Sequence, residues 1–223
     1  LEAGRRVDAV RRAAFEAIRP GIREHAIQQF ILAAFDREGL FTDHGPIVAV
    51  NANASDPHYE PTAERSAIIQ PGDVVLIDLW AKLKQPGAVY YDITWTGYFG
   101  PTVPDRVQNI FAIVRDARRQ GSLTARAGLS GFEIDDAVRG HISAAGYADY
   151  FVHRTGHSIG EDVHGAGANM DNLETHDTRR LIPHTCFSIE PGIYLPEFGI
   201  RSEVNVYIEA DGSPRVTGEE QSE

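Results

Sequence analysis

Apolar positions along the chain fall at helical spacing, then at strand spacing, and the same order then returns. Over residues 2–19, Val7, Val10, Ala14 and Ile18 keep the helical period, and Pro20-Gly21 ends it. A second helix is predicted from about Arg23 to Glu38, with Gly39 just past its C-terminus. Ile47 to Val50 reads as a strand, and Asn51 to Arg65 as a polar loop carrying His58-Tyr59. Pro71-Gly72-Asp73 is a turn that feeds the buried strand Val74 to Asp78. After a turn over Lys82 to Gly87, a returning strand runs from Ala88 to Gly97 with Asp92 inside it.

The second half repeats this order. Helices are predicted from about Pro104 to Ala127 and from Phe132 to Ala145, the latter ending at Gly146. Gly21 and Gly39 are 18 residues apart, and so are Gly128 and Gly146. Pro71 through Asp78 matches Pro183 through Glu190, each a proline seven residues before an acid that closes an apolar strand. The next acid follows after 14 residues in the first half (Asp92) and 13 in the second (Glu203). Two related halves, about 1–103 and 104–223, are therefore expected, each built helix, helix, hairpin. Their hairpins would lie side by side as a curved antiparallel sheet covered by helices, an α+β fold in a single domain of 223 residues.

Composition narrows the classes of partner. Hydrophobic residues make up 42% and charged residues 24%, as in a globular chain. The net charge of -11 argues against nucleic acid and anionic membrane, which reward basic patches, and suits a protein that holds cations. Cys186, the one cysteine, leaves no internal disulfide, and a cytoplasmic location is expected. The thiol, within an apolar run, reads as buried and inert. No apolar stretch is long enough for a membrane helix. The chain opens at Leu1 rather than Met, as an excised domain or a processed product would.

Candidate chemistry concentrates between His153 and His164, where three of the nine histidines fall within twelve residues beside glycines. Taken alone, the cluster fits a solvated loop as well as a metal site. The four hairpin acids decide between these. If Asp78 faced Asp92 across a turn centred on Gln85, and Glu190 faced Glu203 across one centred between Pro196 and Glu197, each pair would crowd two carboxylates into apolar strands. Such pairs repel and are costly to bury alone. Divalent cations relieve both problems, whereas arginine partners or a solvated face would be the purely structural alternative. Oxygen ligands with one imidazole suit manganese, cobalt, iron or zinc.

At these residues the chain resembles the pita-bread metallopeptidases, which include methionine aminopeptidase, aminopeptidase P, prolidase and creatinase. The resemblance implies the ligand set Asp78, Asp92, His157, Glu190 and Glu203, holding two divalent ions, manganese first and cobalt or zinc next. It also implies separate roles: Asp92 and Glu203 bridge, Asp78 holds one ion, and His157 and Glu190 hold the other. The nearest resemblance is to the Xaa-Pro peptidases, aminopeptidase P and prolidase. It rests on His58-Tyr59, on His153 and His164 around His157, on Glu190-Pro191-Gly192-Ile193-Tyr194, and on Gly199-Ile200-Arg201-Ser202-Glu203. His164-Gly165-Ala166-Gly167 stands where methionine aminopeptidases usually carry His-Glu-Glu-Pro.

The implied activity is hydrolysis of Xaa-Pro bonds in dipeptides or at the N-terminus of short peptides, by a metal-bridging hydroxide. Glu190 would relay the proton. His58 and His164 would bind the substrate carbonyl or oxyanion, and His153 would assist in binding or proton movement. Arg201 would contact substrate, orient Glu203 or brace the ligands. The resemblance also implies a homodimer and a short peptide as partner, while the N-terminal domain usual in these enzymes has no counterpart in the chain. Rival readings on the same fold are a methionine-aminopeptidase-like enzyme, a creatinase-like or other non-peptide hydrolase, and a binding relative without chemistry. The chain departs from the family at Trp95, usually arginine, and at Leu79-Trp80 after the first acid, which places the differences at the substrate pocket.

Overall fold

The computed structural model describes residues 1–223. The first half runs α1 (Glu2–Glu16), α2 (Glu24–Arg37), β1 (Leu40–Phe41), β2 (Ile47–Val50), β3 (Asp73–Leu83) and β4 (Tyr91–Phe99). The second runs α3 (Asp105–Thr124), α4 (Gly131–Ala144), β5 (Ser158–Ile159), β6 (Cys186–Ile189), β7 (Gly192–Tyr194), β8 (Gly199–Arg201), β9 (Val204–Ile208) and β10 (Pro214–Thr217). Each expected helix and strand is present, with helix ends a few residues inside the predicted ones. The strand β10 and the short strand β1 were not anticipated.

The repeat is visible in backbone detail. Gly21, Gly39, Gly128 and Gly146 all take positive φ, which glycine adopts without a Cβ clash. The Gly21 N–H donates to the Ile69 carbonyl at 3.0 Å, and the Gly128 N–H to the Leu181 carbonyl at 2.9 Å. Gly72 and His184, each following the matched proline, also share positive φ, at 103° and 68°.

In β3, Val75, Ile77, Leu79 and Ala81 pack against α1 and α2 with Val7, Val10, Ile27 and Ile31. Burying each large aliphatic side chain there contributes about 1.5–3 kcal/mol. Because strand side chains alternate, the residues between them, Leu76, Asp78 and Trp80, face the other way. The same alternation in β4 sends Ile93 and Trp95 to the helices and Asp92, Thr94 and Thr96 to the opposite face.

Instead of one continuous sheet, the strands form a four-stranded sheet in each half and a two-stranded ribbon of β7 and β8. The halves meet along β4, whose outer edge is closed largely by side chains. The Glu203 N–H donates to the Thr94 carbonyl at 3.0 Å. The Asn205 amide bonds both the N–H and the carbonyl of Asp92, the former at 3.0 Å. The Gln221 amide does the same for Thr96, at 3.1 and 2.7 Å. The Thr96 hydroxyl in turn donates to the Arg201 carbonyl at 2.8 Å. A strand edge is thus satisfied without a strand.

Candidate metal centre

The strand register places the acids. Asp78 lies opposite Thr94, and Asp92 opposite Trp80. Asp78 and Asp92 are therefore diagonal neighbours rather than a facing pair, because the turn is centred on Pro86 and not on Gln85. In the second half, Ile189 faces Val204 and Gly192 faces Arg201, so the same register opposes Glu190 to Glu203 as expected. Position for position, Thr94 corresponds to Glu203 and Asp92 to Arg201. The mismatch of 14 against 13 residues reflects this shift.

His157 comes from the strand beside β6. Its backbone is fixed on both sides: the His157 N–H donates to Ser188 Oγ at 2.9 Å, and the Ser188 N–H donates to the His157 carbonyl at 2.9 Å. Gly156 just before it leaves no room for a side chain, since a Cβ would stand 2.0 Å from the Ser188 carbonyl oxygen. The Nδ1 atom of His157 donates to the Ser158 carbonyl at 3.1 Å, leaving Nε2 to face Asp92 Oδ2 at 3.3 Å and Glu190 Oε1 at 3.5 Å. An acceptor at Nε2 held by a donated Nδ1–H is the arrangement of a metal-ligating imidazole. Ligand atoms of Asp92, His157 and Glu203 lie within 4.8 Å of one another, all buried.

Asp78 is held from the second half. Arg201 Nη2 donates to Asp78 Oδ2 at 2.6 Å, Nε to Thr94 Oγ1 at 3.0 Å, and Nη1 to Tyr194 Oη at 3.1 Å and the Pro57 carbonyl at 3.2 Å. Thr94 passes the contact on, donating to Glu203 Oε2 at 2.8 Å. Arg201 therefore braces Asp78 directly and Glu203 only through Thr94, and its donors are committed to protein acceptors rather than open to substrate. Asp78 Oδ1 and Glu203 Oε1 are buried and have no hydrogen-bond partner. Orphaned carboxylate oxygens are costly, and a cation between them satisfies both.

The charges show the same strain. Burial pushes the Asp78 carboxyl up to about 7 against the pull of Arg201. Burial, with Asp92, Glu190 and Asp78 nearby, raises Glu203 well above the usual carboxylate range. Burial also raises Asp92, although His157 opposes it. For Glu190 burial is outweighed by His157, His153 and Arg201, and its carboxyl lies below the ordinary value. Burial disfavours a charged His157, but Asp92 and Glu190 raise it on balance. Like charges held together this way match what divalent ions would compensate.

These groups open into a cavity of about 360 Å³, also lined by His58, Trp80, His153, Arg154 and His164. His58 and His164 are exposed at its mouth, with the His164 ring edge-on to His157 at 4.4 Å between centroids. His153 differs from its expected role. It is 8% exposed, its Nδ1 donates to the Arg154 carbonyl at 2.7 Å, and its Nε2 accepts from Tyr194 Oη at 2.7 Å. Both ring nitrogens are thus sealed within the protein, and burial first of all lowers its pKa to about 4. Trp95 is not at the pocket: it packs on the helix face of β4, with the Arg11 guanidinium 3.4 Å above its ring. Trp80, by contrast, does line the cavity and donates to Asp43 at 2.9 Å.

Sequence reasoning passed over Thr94, Ser188 and Tyr194, which hold the ligands in place. Thr94 and Ser188 each lie two residues from an acid on the same strand face, so the alternation that located the acids also reaches them. The Cys186 thiol, pushed up to about 11 by burial, stays protonated as expected.

The model of metallopeptidase family M24 matches residues 1–210, and the chain belongs to that family. The chain is 32% identical over 214 residues to the Xaa-Pro dipeptidase of Lactobacillus delbrueckii subsp. lactis, covering 95% of this chain and 55% of that protein. Among solved structures, prolidase from Thermococcus sibiricus superposes with a TM-score of 0.86 at 31% identity, over 100% of this chain and 58% of that one. Dipeptidase PepE from Mycobacterium ulcerans gives 0.87 at 30% identity, over 100% and 57%. The fold is the α+β pita-bread fold of these enzymes. The chain spans little more than half the length of the relatives it matches. No helix is long and apolar enough to cross a membrane.

Proposed function

We propose that this chain carries the catalytic site of a metal-dependent peptidase that hydrolyses Xaa-Pro bonds, in dipeptides or at the N-terminus of short peptides. The observation that carries this reading is the convergence of Asp78, Asp92, His157, Glu190 and Glu203, from both halves, on one cavity with two orphaned carboxylate oxygens. The names of the relatives, Xaa-Pro dipeptidase and prolidase, support the substrate class. Asp92 and Glu203 would lie between two ions, with Asp78 on one and His157 and Glu190 on the other. The oxygen-rich donor set favours manganese, then cobalt or zinc. Bound ions would supply an acidified water and polarise the scissile carbonyl.

The remaining work falls to side chains. Glu190 keeps its carboxylate ionised and hydrogen-bonded to Ser188 Oγ at 2.9 Å, ready to accept a proton from the attacking water and return it to the leaving nitrogen. His58 and His164, at the mouth, reach the substrate carbonyl and its developing negative charge. His153 acts through Tyr194 and Arg201 to hold Asp78. Homodimer formation and a cytoplasmic location belong to this proposal, the latter resting on the single cysteine.

The test is hydrolysis of a peptide panel by metal-stripped full-length protein, with manganese, cobalt or zinc restored. Metal-dependent cleavage of Xaa-Pro dipeptides or Xaa-Pro-Yaa tripeptides, with Met-Ala-Ser left intact, is the expected result. Metal uptake without cleavage of any peptide contradicts the proposed substrate class.

A further inference from the structure

Apart from its histidines, the cavity wall carries seven carboxylates and only two cationic side chains, Arg154 and Arg201. Their situations are opposite. Arg201 donates to Asp78, Thr94, Tyr194 and the Pro57 carbonyl and has nothing to offer a ligand in the cavity. The Arg154 guanidinium makes no hydrogen bond at all. Its nearest carboxylate oxygen is Glu174 Oε2 at 3.8 Å, although the side chain is only 24% exposed. A largely buried guanidinium with five donors and no acceptor is an incomplete arrangement, and a planar anion completes it.

The backbone of Arg154 is fixed next to the metal ligands. Its carbonyl accepts from His153 Nδ1 at 2.7 Å, its N–H donates to Glu174 Oε1 at 3.3 Å, and it lies three residues before His157. Its positive charge is also felt at His164 on the mouth, where it helps burial and His157 to lower that histidine's pKa. Resting on the Xaa-Pro reading above, we infer that Arg154 is the subsite for the free C-terminal carboxylate of the substrate, and so selects dipeptides. In a dipeptide that carboxylate belongs to the residue just past the cleaved bond, roughly 3.3–3.6 Å of chain away, whereas each further residue carries it the same distance farther. A cation joined to the metal-ligand segment suits the shorter reach. The surrounding carboxylates repel any anion not gripped by Arg154, which sharpens the selection.

The experiment compares Ala-Pro with Ala-Pro amide and with Ala-Pro-Ala, using metal-loaded full-length protein and its Arg154→Gln and Arg154→Lys variants. Wild-type protein is expected to prefer Ala-Pro to its amide. That preference, taken as the ratio of kcat/KM values, should fall roughly 10- to 100-fold in Arg154→Gln, chiefly through KM. Arg154→Lys should lie between, since an ammonium keeps the charge but not the paired donors. A ratio unchanged in both variants overturns the subsite, and so does a wild-type protein that cleaves acid and amide alike. Because the readout is a ratio within each protein, partial misfolding of a variant cancels. A wild-type protein that cleaves none of the three overturns the peptidase reading itself, which separates the two failures.

Discussion

The two halves share a frame but not a chemistry. Where the second half places His157 beside Ser188, the matching positions of the first half are Ala49 beside Leu76, both buried and apolar. Where β4 carries Asp92, the second half carries Arg201, and where β4 carries Thr94, the second half carries Glu203. The first hairpin runs unbroken, while the second is interrupted at Glu190-Pro191, between β6 and β7. Duplicated architecture thus sets where ligands stand, and substitution at matched positions decides what each does. The first half supplies Asp78 and Asp92. The second supplies the imidazole, two further acids and the arginine that grips Asp78.

The sharpest way to break this comparison is to remove the contact between the halves. In Arg201→Met, Asp78 keeps its buried carboxylate without a partner. At pH 8 this should cost the metal-stripped protein about 3–5 kcal/mol, read from urea unfolding. A loss below 1 kcal/mol would mean that Arg201 is not what holds Asp78.

Ser188→Ala touches only the second half, removing the hydroxyl that bonds both the His157 N–H and Glu190. Metal affinity should fall roughly 10- to 100-fold. The matched change in the first half, Leu76→Ala, should lower stability by about 2–5 kcal/mol through a cavity. Equal effects of the two on metal affinity would erase the distinction between the halves.

The raised acids give a pH dependence with a definite sign. Asp78, at about 7, and Glu203, higher still, bind protons more readily in the fold than when unfolded. The metal-free protein should therefore gain stability as pH falls from 8 to 6.5. Below 6.5 His153, lowered to about 4, works in the opposite direction, because the unfolded chain takes up its proton first. Metal affinity should weaken over the same fall, since ions must displace those protons. Thermal melts with and without manganese across this range check both slopes.

The smallest effect belongs to the far face of β4. Trp95→Phe weakens the stack with Arg11 and should cost about 1 kcal/mol or less, with kcat/KM unchanged. A changed substrate preference would place Trp95 at the pocket after all.

The sequence disclosed the repeat well, because glycines with positive φ and prolines before strands are backbone requirements that show as residue type. It disclosed the acids for the same reason: a charge closing an apolar strand is conspicuous. Register was harder. Whether Asp78 faces Asp92 or Thr94 depends on one residue of turn length, which hydrophobic alternation does not fix when both partners lie on the same face. The seam was also hidden, since Asn205 and Gln221 act as strand partners through side-chain amides, and no periodicity reports that. His153 looked like a catalytic histidine by position, and only its bonds to the Arg154 carbonyl and Tyr194 reveal a supporting part.

The most direct test of the central claim, a two-ion centre built from both halves, is the metal content of the full-length protein after stripping and saturation with manganese. Elemental analysis should return two ions per chain, and Glu203→Ala should lose metal binding and peptide hydrolysis together. One ion per chain in the wild-type protein, or an active Glu203→Ala protein, would contradict it.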